Sequence, residues 1–225
     1  KFILESVYIM KNSYGLSLIE VTIVLVIIGL LLGGLLLPLS TRMDQQKIQL
    51  TQKRLAEIKE ALLGFAIINN RLPCPAKDEN GKALDEGDAG CTQEGYLPWK
   101  DLGIGRKYDG WNNPFRYRPE DTYTTTIVPV ITSGLNVVDF DGKSLTTTSQ
   151  FRVATIIFSC GKNGIPDNEN DATEIQDDIK CSNPGTSNST YIQNGYIEDQ
   201  FDDILTWLSK NTLIHRLVAA KKWPP

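Results

Sequence analysis

A single carboxylate stands at the start of a long apolar stretch near the beginning of the chain. Residues 21–37 are seventeen uncharged residues dominated by Leu, Ile and Val, and Glu20 directly precedes them. With residues 16–19 and Leu39, the stretch reaches the roughly 20 residues that a helix needs to cross a bilayer. A carboxylate inside such a span costs about 2.5–3.5 kcal/mol on insertion scales. Glu20 is therefore a candidate functional residue; the alternative is an ordinary signal anchor whose acid lies near the lipid headgroups.

Gly15 is a second candidate, five residues before Glu20. A short segment carrying Lys11 ends in Gly15 in front of the apolar stretch, whereas a secretory signal peptide has its small-residue cleavage site after the apolar core. The residues from Gly15 to Val24, GLSLIEVTIV, resemble the prepilin cleavage and methylation motif of type IV pilins and type II secretion pseudopilins. Leu16 stands where that family more often has Phe. The resemblance covers about the first 55 residues.

The resemblance implies a route of processing and assembly. A membrane-bound prepilin peptidase would cut after Gly15 on the cytoplasmic side, and Leu16 would become an N-methylated terminus. Glu20 of one subunit would then pair with the Leu16 ammonium of its neighbour, so that two costly charges leave the hydrocarbon together. The implied partners are the peptidase, other pilins or pseudopilins, an inner-membrane assembly platform and membrane lipid.

The chain is predicted to have four segments. Residues 1–15 are a leader, for which Met10 is an alternative start; residues 16–39 are the membrane-spanning half of a helix, 40–70 its amphipathic half, and 71–225 a globular head. We expect one helix from Leu16 to Asn69, bent at Pro38 and at residues 33–34. Apolar residues of its second half recur at spacings of three, four and seven, as on one buried helix face: Ile48, Leu55, Ile58, Leu62, Phe65 and Ala66.

The head is predicted to add an antiparallel sheet, which makes the fold class α+β and pilin-like. Residues 72–100 are rich in Gly, Pro and charge and are predicted to be loop. Composition and alternation predict strands at 122–131, 151–158 and 203–208, a hairpin of 137–140 with 144–148, a polar loop over 182–193, and a helix at 212–220. The turn from Asp109 to Tyr117 resembles a segment of pseudopilin heads, with Asn112-Asn113 in place of Gly-Asn. It is interpreted as a structural turn that docks Trp111.

Four cysteines in a domain placed outside the cytoplasmic membrane favour disulfides. They allow three pairings, of which Cys74–Cys91 with Cys160–Cys181 is preferred because each bond would close one Gly- and acid-rich loop. Closing loops of this length contributes about 3 kcal/mol each in the entropy model. Free buried thiols are the alternative.

The acidic loop between Cys160 and Cys181 is a candidate calcium site. Asp167, Glu169, Asp171 and Asp178 occupy the first, third, fifth and twelfth places of a calcium-loop pattern. The match is defective, because Ala172 replaces the turn glycine and Ile175 offers no side-chain oxygen. Some pseudopilin heads bind calcium through C-terminal loops. The alternative is a solvated acidic loop held by a disulfide.

No enzyme signature is present in the sequence. His215 is the only histidine, on a predicted helix, and no nucleophile elbow, zinc-protease motif or phosphate loop occurs. The close acid pairs Asp177-Asp178 and Asp202-Asp203 are interpreted as solvated loop. A net charge of −4 at pH 7 argues against a general nucleic-acid surface.

These features predict a filament subunit rather than an enzyme. The predicted function is a minor pilin or pseudopilin of a type IV pilus or a type II secretion system, held in the inner membrane by one span with its head in the periplasm. The alternative is a single-span, membrane-anchored periplasmic binding or hydrolytic domain that does not polymerise. No cofactor other than calcium is expected.

Overall fold

A computed structural model describes residues 15, 17–105, 108–128, 134–146, 153–167, 170, 181–182, 188–197 and 200–223; the side chains of residues 32–41 are outside this description. The chain divides into two compact units, residues 1–44 and residues 45–225. Helix α1 begins in the first unit and ends in the second.

Helix α1 runs from Leu18 to Asn69. It ends where the sequence predicts: Asn70 has a φ of +54° and donates its N–H to the carbonyl of Ala66 at 2.8 Å, and Leu72-Pro73 follows. Asparagine tolerates this left-handed conformation better than most residues, which makes it a natural helix terminus. Among the residues with described side chains, no helical segment is long and apolar enough to cross a membrane. The predicted bend at Pro38 stays a prediction.

A four-stranded antiparallel sheet forms the centre of the second unit. Its strands are β1 (Gly95–Tyr96), β2 (Arg116–Pro119), β4 (Val153–Ser159) and β6 (Ile204–Ser209), in the spatial order β1-β2-β4-β6. Every residue of β4 is buried, so the strand is covered on both faces, and it confirms the predicted strand at 151–158 from Val153 on; residues 151–152 lie outside the described residues. Strand β6 confirms the predicted strand at 203–208, shifted by one residue.

The second half of α1 packs on this sheet along the predicted stripe. Leu55, Ile58 and Leu62 are buried against Phe115, Tyr117 and Ile157. Near the end of α1, Leu63 and Ala66 join a second cluster with helix α2 (Lys210–Ala219), which buries Leu213 and Leu217. Helix α2 confirms the predicted C-terminal helix, whereas Ala220, expected on its buried face, is exposed and caps its end.

Two short strands form a separate pair that differs from the predicted hairpin. Strand β3 (Asn136–Val138) pairs in parallel with β5 (Thr190–Ile192). In the described part of the predicted hairpin, one bridge joins Val138 and Ser144, and residues 147–148 lie outside the described residues. The predicted polar loop at 182–193 is therefore wrong at its end. The reason is burial: Val137 and Tyr191 are both fully buried in the core beside Phe158, and this burial draws their strands together.

The predicted strand at 122–131 is wrong in its described part. Residues Asp121–Thr124 form a 3-10 turn, and residues 129–131 lie outside the described residues. Threonine hydroxyls bond back to nearby carbonyls, Thr124 to Asp121 at 2.7 Å and Thr125 to Thr122 at 3.0 Å. Such local bonds compete with a strand ladder, and buried Tyr123 fixes the turn in the core.

Both preferred disulfides are present, Cys74–Cys91 and Cys160–Cys181. The first closes the predicted loop of residues 72–100, which contains only β1 and a 3-10 turn at Ala89–Thr92. The second is buried in the core beside Phe158 and Tyr191.

Candidate functional site

Gly15 and Glu20 lie at the start of α1 in exposed positions. Glu20 belongs to the first turn of the helix, where a carboxylate interacts favourably with the helix dipole. Gly15 is exposed, and a Cβ added to it would meet no atom within 4 Å. Leu16, the predicted new terminus, lies outside the described residues.

The helix that follows carries apolar side chains on all its sides. Every described side chain from Ser17 to Leu31 is exposed, including Leu18 at 83% and Leu30 at 73%. An apolar helix surface of this kind is typical of a segment that meets lipid or other helices rather than water.

A second candidate site is a cluster of three carboxylates in the head. Asp167, Asp202 and Asp203 each offer one oxygen, and these oxygens lie within 4.8 Å of one another. Asp202 and Asp203 directly precede β6, and Asp167 follows the turn at Gly161–Gly164. The prediction that Asp202-Asp203 is a solvated pair is wrong, because the two residues are 9% and 3% exposed.

Backbone N–H groups hold one oxygen of each carboxylate. Asp202 Oδ2 accepts from the N–H of Lys162 at 2.7 Å and of Asn163 at 2.8 Å. Asp167 Oδ2 accepts from the N–H of Asp202 at 2.7 Å, and Asp203 Oδ2 accepts from the N–H of Asp167 at 2.9 Å. These bonds tie the turn after β4 to the start of β6 and fix the cluster in place.

The remaining oxygens make the cluster suited to a cation. Oδ1 of Asp202 and Oδ1 of Asp203 are buried and have no hydrogen-bond partner among the described residues. Burial raises the pKa of Asp202 to about 6 and that of Asp203 well above its usual value, and nearby Asp167 adds to both shifts. Buried carboxylate oxygens without donors are costly unless a cation binds them, and carboxylate oxygens are the ligands that calcium prefers. The residues therefore fit calcium.

The predicted calcium ligand set stays a prediction for most of its residues. Of the four acids in the loop pattern, only Asp167 is described; Glu169, Asp171 and Asp178 lie outside the described residues. The sequence did not identify Asp202 and Asp203 as partners of Asp167. The available signal was their place directly before the uncharged strand β6, whose burial carries the preceding residues inward.

The turn after Tyr108 has a structural role. Asp109 is buried, and its Oδ1 accepts from the N–H groups of Trp111 and Asn113, each at 2.8 Å. A Cβ at Gly110 would come within 2.5 Å of the backbone carbonyl oxygen of Lys47, so the turn lies directly on α1. Asp109 and Gly110 thus dock the turn on α1, and Trp111, the predicted docking residue, is partly buried with its indole nitrogen inside.

Asn112 explains how this turn tolerates a departure from the pseudopilin pattern. Its φ is +72°, in the left-handed region where glycine is favoured and asparagine is the best-tolerated substitute. The turn therefore keeps its geometry with Asn112-Asn113. His215, the only histidine, is exposed on α2 and belongs to no cluster of acids or cysteines among the described residues.

Comparison with known proteins bears on the N-terminal site. Residues 10–36 match the family model described as the prokaryotic N-terminal methylation motif, the hallmark of prepilin-type cleavage in type IV pilins and pseudopilins. No curated protein and no solved structure matches the chain. The match confirms the interpretation of the run from Gly15 to Val24, and it covers only the beginning of the chain.

Proposed function

We propose that this protein is a minor pilin or pseudopilin, a filament subunit that a prepilin peptidase cuts after Gly15 and methylates at Leu16. The observation that carries the proposal is the methylation motif at residues 10–36, with Gly15 and Glu20 at the spacing that the motif requires. The motif marks the chain as a pilin-like substrate of the peptidase. The role as a minor subunit is the further step.

The environment of Gly15 supports recognition by an enzyme. Gly15 is exposed, and a side chain there would meet no described atom within 4 Å. Packing among the described residues therefore does not require glycine at this position. Recognition of the residue before the cut by a peptidase would explain why glycine stands there.

The environment of Glu20 supports assembly through the helix. The exposed apolar side chains from Leu18 to Leu31 provide a surface for lipid and for neighbouring helices. Glu20 at the start of this surface is a carboxylate that needs a positive partner once the helix enters hydrocarbon. The methylated ammonium of Leu16 in the adjacent subunit supplies that charge in our proposal.

The head supports a place outside the cytoplasmic membrane. Two disulfides are typical of proteins that fold in an oxidising compartment such as the periplasm. We therefore propose one span in the inner membrane, formed by residues 16–39, with the head in the periplasm before assembly. The 210 residues after Gly15 exceed the size of most major subunits, which favours a minor subunit.

The acidic cluster is proposed to bind calcium and to fix the end of the head. Asp167, Asp202 and Asp203 would hold the ion, which would neutralise their mutual repulsion. The backbone around the cluster holds the carboxylates in position for the ion. The N–H groups of Lys162, Asn163 and Asp202 orient the carboxylates, and the Oδ1 atoms of Asp202 and Asp203, which have no partner in the described part of the chain, face the ion.

The function is tested by replacing Glu20. In cells that carry the pilus or secretion machinery, Glu20→Gln should be cut and inserted normally, since removing a charge eases insertion by up to about 2.5–3.5 kcal/mol. It should nevertheless be absent from sheared filaments, because the partner ammonium is left without a carboxylate. Glu60→Gln, an exposed acid later on the same helix, is the matched control and should be incorporated like the natural chain.

The rival is a membrane-anchored periplasmic domain that never polymerises. It predicts that neither the natural chain nor either variant enters filaments. It also predicts that Glu20→Gln has no effect on any property of the chain beyond easier insertion. Normal incorporation of Glu20→Gln would instead show that assembly does not depend on this carboxylate.

A further inference from the structure

Among the described residues, strand β6 is an open edge of the four-stranded sheet. At the opposite edge, Tyr96 of β1 exchanges two backbone hydrogen bonds with Ala76, at 2.8 and 3.0 Å, so that edge is covered. Strand β6 pairs with β4 alone among the described residues. The two edges of the sheet therefore differ in their capacity to accept another strand.

The register identifies the backbone groups that face outward. Glu120 donates its N–H to the carbonyl of Ala154 at 2.9 Å, and hydrogen-bonding direction alternates along antiparallel strands. Arg118 of β2 pairs with Ile156 of β4, and Ile157 of β4 pairs with Thr206 of β6. Following the alternation across these pairs, the backbone N–H and C=O groups of Leu205 and Trp207 point away from β4. Neither residue has another backbone partner in the described part of the chain.

Nothing in the composition of β6 protects this edge. Edge strands normally carry a charge or a proline that discourages further pairing. Residues Ile204–Ser209, sequence ILTWLS, contain neither. No charged residue or proline of β6 therefore hinders hydrogen bonding between this edge and an added strand.

A groove of about 320 Å³ runs beside this edge. One wall is the face of α1 that carries Ile48, Leu55 and Ala56, and the other is the segment 193–196. Residues Ile204–Thr206 of β6 line the groove between them. The open backbone groups therefore lie beside a groove of mixed apolar and polar lining, which can receive the side chains of an added strand.

Lys59 adds a positive charge to the wall of the groove. It is partly buried at the groove wall, and this burial lowers the pKa of its ammonium. Its neighbour Glu60 is held by Arg216 at 3.1 Å, and Lys59 forms no ion pair with any described residue. Asp203 also lines the groove, but its Oδ2 is held by Asp167 and Asn170, and its Oδ1 is assigned to calcium in the proposed function. Charge complementarity with the Lys59 ammonium therefore favours a bound segment that carries a carboxylate.

We propose that the groove binds an extended, carboxylate-bearing segment of a neighbouring filament subunit, which adds a strand to β6 and pairs with Lys59. This inference rests on the proposed function, because it names a contact between heads in the assembled filament. Backbone pairing with β6 supplies affinity, and the carboxylate that meets Lys59 supplies selection and register.

The test is site-specific photocrosslinking in cells that make the full chain and its filament. A photoreactive phenylalanine replaces Thr206, beside the groove, and in a separate control replaces Thr212, exposed on α2. The Thr206 probe should cross-link to an Asp- or Glu-containing extended segment of another pilin-type subunit, identified by mass spectrometry. Lys59→Glu should reduce this product about tenfold or more, since reversing a partly buried charge costs upwards of 1.4 kcal/mol.

Two matched variants separate charge from structure. Lys59→Arg keeps the charge and should retain the cross-link, and Lys53→Glu, an exposed lysine on the same helix, should leave it unchanged. Non-reducing electrophoresis confirms that each variant still forms both disulfides. Products that join only lipid, a helical segment or a second copy of this chain would overturn the proposal. A product that does not respond to the charge at residue 59, or no product from Thr206, would overturn it as well.

The mature N-terminus and filament incorporation are measured on the same samples. If the chain begins at Leu16 and enters filaments while the Thr206 probe yields no subunit cross-link, the groove proposal fails and the proposed function stands. If the chain is never processed, the proposed function itself fails.

Discussion

Gly15 and Glu20 are exposed residues whose types the packing of the protein does not require. Open space surrounds Gly15, and Glu20 lies among exposed side chains in the first turn of α1. Residues of this kind are explained by partners outside the chain. For Gly15 the partner is the peptidase, and for Glu20 it is the terminus of an adjacent subunit in our proposal.

Asp202 and Asp203, in contrast to Gly15 and Glu20, are held in place by contacts within the fold. They are buried, each has one oxygen tied to backbone N–H groups or to Asn170, and each has one oxygen without a donor among the described residues. Desolvating two neighbouring carboxylates near a third is unfavourable unless a cation compensates the charge. The chain keeps this arrangement at the start of its edge strand, where a bound ion would stiffen the end of β6.

Calcium should therefore raise the thermal stability of the protein. At a calcium concentration of about 100 times Kd, mass action adds about 2.7 kcal/mol, which corresponds to a rise in melting temperature of about 5–10 °C for a unit of this size. The measurement is thermal unfolding of the full chain in detergent, in calcium and in chelator. Asp203→Asn should abolish the difference, whereas Asp88→Asn, an exposed acid on the loop before β1, should retain it.

The same melting temperature in calcium and in chelator would contradict the assignment of Asp167, Asp202 and Asp203 as calcium ligands. An equal response of the two variants would contradict it too, since only one of them alters the cluster.

At the scale of elements, a buried ion pair joins the first disulfide loop to both sheets. Glu94, just before β1, contacts Arg116 of β2 through Oε1 and Tyr191 of β5 through Oε2. The side chains of Glu94 and Arg116 are each 1% exposed. Burial pushes the pKa of Glu94 upward, and the Arg116 guanidinium opposes that shift. The pair thus holds three elements that the chain order separates.

Breaking this pair should be far more damaging than breaking a surface pair of the same loop. Glu94→Ala leaves the Arg116 charge buried without its carboxylate and should cost about 3–5 kcal/mol of unfolding free energy. Glu86→Ala removes the exposed partner of Arg71, which lies at 3.4 Å, and should cost less than about 1 kcal/mol. Denaturant unfolding of the two variants measures the difference. Equal costs would mean that Glu94 does not hold these elements together.

At the scale of the whole molecule, long elements with strong patterns could be predicted from the sequence. The stripe from Leu55 to Ala66 predicted the buried face of α1, and the composition of residues 151–158 predicted the central strand. Both signals are local, because each residue's neighbours along the chain reveal its burial. The preferred cysteine pairing could be predicted from the sequence for a similar reason, because each disulfide closes a single loop between cysteines that are near one another in the chain.

The remaining parts depend on contacts between distant segments. Strand β1 has two residues and β5 three, too few for alternation to be visible, and β5 pairs with a strand more than 50 residues earlier. The three aspartates of the cluster meet because β4 and β6 are neighbours in the sheet, which no local pattern encodes. The sequence therefore identified Asp167 but assigned it to partners from its own loop.

The central claim is that this chain is a processed filament subunit, and the mass of the mature protein tests it most directly. The membrane-bound protein is purified from cells that contain a prepilin peptidase and from cells that lack it, and its intact mass is measured. The account predicts a chain that begins at N-methylated Leu16 in the first sample and an uncut, unmethylated chain in the second. A chain that begins after Ser40, or one that remains uncut when the peptidase is present, would contradict it.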